Sequence, residues 1–142
     1  MPGLPVPQGS MRLMVTHAGP RVVHEDGHRL KAWRRQIVEA IRAGRLAPFG
    51  RGEPVKVKMT FVLLRPGSVS AGRRPRPTVK PDVDKLERAV LDALTESRLI
   101  WDDAQIVDVR AIKRYDVEPG LDVESAGVTI LAASLNPQPG LL

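Results

Sequence analysis

At 142 residues with a formal net charge of +6, the chain has the size of one domain and the charge of a protein that meets polyanions. Its 42% apolar residues can supply a core, whereas apolar runs as short as "TFVLL" and "VTILAA" exclude a helix that crosses a bilayer. The absence of cysteine excludes disulfides, thiolate zinc sites and a cysteine nucleophile, and fits a reducing cytoplasm.

The N-terminal "MPGLPVPQGS" lacks a charged segment followed by an apolar stretch, so no secretory signal is expected. "MRLMVT" and "RVVHE" read as short strands around a turn at "HAGP", which predicts a hairpin. From His28 to Ala43, Leu30, Trp33, Ile37 and Ile41 recur on one helical face, and Gly44 stands where a helix ends. "VKVKMTFVLL" alternates Val55, Val57, Met59, Phe61 and Leu63 with Lys56, Lys58 and Thr60, the pattern of a strand with one buried face.

Residues 65–80, "RPGSVSAGRRPRPTVK", hold three prolines, two glycines, five cations and no acid, and predict an irregular basic loop. A second helix is expected from about Asp82 to Ser97, with Leu86, Ala89, Val90, Ala93 and Leu94 as its apolar stripe. "AQIVDVRAIKRYDV" and "AGVTILAA" read as two further strands. The expected architecture is a single α+β domain over residues 1–142, a mixed sheet with two main helices packed on it and flexible ends at 1–10 and 134–142.

Acids gather at both ends of the second helix. Asp82 and Asp84 stand two apart at its entrance, where both side chains can turn toward one point, and two carboxylates suffice for magnesium, which completes its shell with water and phosphate oxygens. The same pair also suits a plain helix cap, and the spacing alone leaves both readings open. Asp84, Arg88 and Asp92 share a helical face, so Arg88 can reach either carboxylate or a bound phosphate. Asp102 and Asp103 follow the other end. A helix of about 16 residues is roughly 24 Å long. The residues after it just span that distance if the chain doubles back, and otherwise a second subunit would have to complete the cluster. His17, His24 and His28 show no metal-ligand spacing, and Trp33 and Trp101 read as core or interface anchors.

"KPDVDKLERAVLDAL" followed by "IWDDAQIVDV" resembles the signature of the RusA family of Holliday junction resolvases of bacteria and phages. "PVPQGSMR" near the start and "IKRYD" near the end extend that resemblance over about residues 5 to 133. The resemblance implies a RusA-like homodimer that resolves four-way DNA junctions in the cytoplasm by paired, magnesium-dependent nicks, with manganese as a substitute and no nucleotide cofactor or membrane. It implies Asp82, Asp84 and Asp103 as catalytic metal ligands and Arg88 as the basic catalytic residue. Arg65, Arg73, Arg74, Arg76, Lys80 and Lys85 would then grip DNA. Two residues depart from the family pattern: Lys85 stands where Asn is usual, and Arg88 where Lys is usual. A branched-DNA-binding protein without cleavage and a nuclease acting on flaps and forks are the alternatives.

Overall fold

The period-2 stretch at residues 55–63 becomes the middle of a sheet. In the computed structural model, which describes residues 10–16 and 27–137, β2 (Val55–Leu63) buries Val55, Val57, Met59 and Phe61 and leaves Lys56 and Lys58 in solvent. Around it lie β1 (Ser10–Thr16), β3 (Ile106–Tyr115) and β4 (Gly127–Ser134), in the order β1-β4-β2-β3. β4 is antiparallel to both β1 and β2, while β3 is parallel to β2, so the sheet is mixed as expected.

Two helices cover the apolar face. α1 (Gly27–Ala43) contributes Trp33, Ile37, Val38 and Ile41, and α2 (Val83–Glu96) contributes Leu86, Ala89, Val90, Ala93 and Leu94, to one cluster with the inward residues of β2 and β4. Full burial of a large apolar side chain stabilises by roughly 1.5–3 kcal/mol, so this shared cluster is what fixes both helices on the sheet. α2 is the crossover between the parallel strands β2 and β3. Its start therefore lies toward one end of β3 and its finish toward the other.

β1 pairs with the last strand, and the other arm of the predicted hairpin, residues 21–25, lies outside the described residues. Two details differ from expectation. Gly44 does not take the left-handed turn that closes α1; Arg45 does, with φ 49°. Asp92 is paired with Arg34 of α1 at 3.7 Å, a contact between helices, where the sequence suggested an Arg88 contact along one helix.

Candidate active site

α2 begins at Asp82, whose backbone is extended (φ −69°, ψ 142°), directly after the cis Lys80–Pro81 peptide. Asp82 occupies the capping position, yet its side chain accepts no cap hydrogen bond from the first-turn amides. Asp84 follows in the first turn, where the unpaired backbone N–H groups favour negative charge. Both acids are exposed. Two hard oxygen donors beside solvent suit a magnesium ion, which keeps most of its water.

Lys113 of β3 supports this entrance from below. It occupies the position across from Phe61, on the helix-covered side of the sheet, and its ammonium donates to the carbonyls of Val79 (2.8 Å) and Pro81 (3.0 Å). Burial pushes the Lys113 pKa below the ordinary lysine value, and the neighbouring Asp82 carboxylate opposes that shift. Alternation carries the clue to it, since a cation stands on a face where β2 supplies Phe61.

Asp84 also lines a groove of about 250 Å³ between the helices, with Lys31 and Arg34 of α1 and Lys85, Arg88 and Asp92 of α2. Four cations against two acids give it a positive balance suited to phosphate. The expected stacking of Asp84, Arg88 and Asp92 on one face is present. Lys31 and Arg34 were not singled out from sequence, because their role depends on how α1 crosses α2.

The other acids lie at the far end of α2. Arg98 takes a left-handed turn (φ 66°) just past the helix, the amides of Leu99 and Ile100 bond back to the Leu94 carbonyl, and both side chains are buried. Asp102 then caps a short 3-10 turn, Asp103–Gln105, and the Asp103 carboxylate accepts a hydrogen bond from the Thr95 hydroxyl in the last turn of α2. Asp84 and Thr95 are thus separated by a rise of roughly 16 Å along the helix. The chain does not double back. Among the described residues, no group of three acids or histidines is assembled to hold a metal within one chain.

Gln105 fixes the position of this second acid pair. Only 7% exposed, its side-chain carbonyl accepts from the amides of Trp101 (2.7 Å) and Asp102 (3.1 Å), while its amide donates to the carbonyls of Gly50 (2.8 Å) and Glu53 (3.1 Å). All four bonds converge on one side chain. Beside it, Arg51 lies over the Trp101 ring at 4.5 Å, and Trp101 (45% exposed) and Val107 (63% exposed) line an open cleft.

The basic loop is more ordered in composition than its sequence suggested. Arg65 sits over the Tyr115 ring at 4.3 Å and directs its guanidinium N–H groups to the carbonyls of Ser70, Arg74, Pro75 and Val117. Those five bonds use all five guanidinium hydrogens, so Arg65 organises the loop and has none left for a DNA phosphate, contrary to expectation. Arg74 is half-buried, near the Tyr115 hydroxyl at 3.4 Å. Arg73, Arg76, Lys80 and Lys85 are exposed.

The family profile of endodeoxyribonuclease RusA matches residues 2–125. Over 110 residues, 78% of both chains, the sequence is 30% identical to the crossover junction endodeoxyribonuclease rusA of Enterobacteria phage 82. It is 31% identical to the crossover junction endodeoxyribonuclease RusA of Escherichia coli over the same share. It is also 38% identical over 80 residues to "Uncharacterized protein YqaN" of Bacillus subtilis strain 168, a match that spans 49% of this chain and 55% of that protein.

Proposed function

Because the chain belongs to the RusA family of endodeoxyribonucleases, we propose that it resolves four-way DNA junctions as a homodimer by two symmetric nicks. The observation that carries the proposal is the placement of the acids. Asp82 and Asp84 open α2, and Asp103 is held at its other end, so each site would join Asp82 and Asp84 to Asp103 of the partner subunit. A two-fold dimer would then present two equal sites, matching the approximate two-fold symmetry of a junction. The exposed Trp101 and Val107 beside Asp103 support a surface that a second subunit covers.

These carboxylates would hold Mg²⁺, or Mn²⁺ in its place, which when bound supplies a polarised phosphoryl oxygen and an activated water. The chain's own residues bring and orient the strand. Arg73, Arg76 and Lys80 lead the backbone toward Asp82, and Lys85, Lys31 and Arg34 line its continuation between the helices. Arg88, on the same groove as Asp84, directs its planar fork at the phosphate oxygens where negative charge grows. Lys113, through the Val79 and Pro81 carbonyls, holds the segment that carries Asp82. Such a protein works where DNA is, in the cytoplasm of a bacterium, and among the described residues no helix is long and apolar enough to cross a membrane.

The test is a synthetic four-way junction incubated with the protein and Mg²⁺. Paired nicks in opposite strands, abolished by EDTA, are expected. A junction that is bound and left uncut with either metal would instead mark a binding protein, and faster cutting of flaps or forks would mark a broader nuclease.

A further inference from the structure

The side of the sheet away from the helices carries a row of cations. β2 alternation puts Lys56 and Lys58 on that side, and the strand register sets Lys58 directly across from Arg110 on β3 and from Leu131 on β4. One line through β4, β2 and β3 therefore reads Leu131, Lys58, Arg110. Lys56, Lys58 and Arg110 are all exposed; Asp108, also exposed, stands across from Lys56 on the same face, and no described acid lies within ion-pair distance of Lys58 or Arg110.

This arrangement works against folding. Like charges directly across from each other on neighbouring strands repel, where an opposite pair or two β-branched residues would stabilise. Charges on an edge strand are commonly explained as protection against sheet-to-sheet pairing, and that accounts for Arg110 on β3. It does not account for Lys58, because β2 is flanked by β3 and β4. Toward the other end the same face is closed: Arg114, across from Val62, is buried with its guanidinium on the Asp122 carbonyl (2.7 Å) and the Glu124 carboxylate (3.4 Å). The cations left in solvent thus form a bounded patch.

We propose that this face is a second DNA contact, which takes the phosphodiester backbone of a junction arm distant from the strand being cut. The proposal rests on the junction reading above and adds a surface to it. A phosphate between Lys58 and Arg110 turns their repulsion into two attractions. Exposed along the strands, these cations can track a backbone without reading bases. The loop and the inter-helix groove handle the scissile strand on the opposite layer of the fold, so one subunit would touch two parts of a branched substrate.

The double variant Lys58→Gln/Arg110→Gln tests this. Junction binding is measured in EDTA across a salt series, together with hydrodynamic size, melting temperature and nicking at saturating junction with Mg²⁺. Loss of two phosphate contacts should make the slope of log K against log[salt] shallower by about 2 per subunit and weaken binding at least about tenfold near 0.1 M salt. Nicking of saturated complexes should stay unchanged and the melting temperature stay equal or rise, as the like-charge pair is gone. The variant Lys58→Arg should bind as the parent does. Unchanged affinity and slope would overturn the proposal and leave the resolvase reading intact. A change in oligomeric state without a change in slope would also overturn it, assigning the face to contact between copies. If the parent protein itself ignores junctions, both readings fail together.

Discussion

Asp84→Asn is expected to lower junction nicking by about 10³-fold, the effect of losing roughly 4 kcal/mol of transition-state stabilisation at a metal-dependent site. The carboxylate is exposed in the first turn of α2, so its replacement should cost no more than about 1 kcal/mol of stability through the helix dipole. Junction binding should persist or strengthen, because the groove it lines keeps Lys31, Arg34, Lys85 and Arg88 and loses an acid. Circular dichroism, gel shift and single-turnover nicking check the three parts separately. An exposed acid that only favours the helix start would leave the nicking rate within a factor of two or so of the parent.

Gln105→Leu is expected to reduce nicking by about 10²-fold while leaving every acid in place, because a displacement near 1 Å at a reacting centre has that order of effect. The same change should lower stability by roughly 1–3 kcal/mol, since the part-buried amides of Trp101 and Asp102 and carbonyls of Gly50 and Glu53 lose their partners. Gln105→Glu separates the two contributions. It keeps the acceptor for the two amides and sets a carboxylate against the two carbonyls, so it should tilt the turn bearing Asp103 away from the Gly50–Glu53 segment. Denaturant titration paired with nicking rates measures both. If activity follows folded fraction alone, Gln105 is a stability residue with no bearing on the acids.

Much of this architecture was legible in the residues. The alternation from Val55 to Phe61 and the stripe from Leu86 to Leu94 each match the burial of the folded protein, because both are direct imprints of one covered face; beyond Phe61 the alternation breaks, with Val62 buried and Leu63 only half-buried. Asp82 at the head of α2 was legible for the same reason: an acid before an amphipathic run marks where the helix starts. What sequence spacing could not supply was the direction of the chain after Ser97. That direction depends on the left-handed turn at Arg98 and on the burial of Leu99 and Ile100, and these keep Asp103 at the far end of α2. Arg65 was misread for a related reason. A cation in a basic loop looks like its neighbours until the fold wraps four carbonyls around it. Lys113 and Gln105 escaped notice because their partners are distant in sequence, 32 and 34 positions away for the lysine and 52 and 55 for two of the glutamine's.

The central claim is that a working site takes Asp82 and Asp84 from one subunit and Asp103 from the other, and co-expression of two inactive variants tests it most directly. Asp84→Asn and Asp103→Asn, each inactive alone, would in a mixed dimer place both defects in one site and leave the other whole. With random assortment about half of the dimers are mixed, so single nicks should return to roughly a quarter of the parent level while paired cuts stay absent. Asp82→Asn with Asp84→Asn, whose defects fall in different sites, should recover nothing. If the Asp84 and Asp103 variants form mixed dimers and no nicking returns, the site does not span the two subunits, and the account of how these acids meet is wrong.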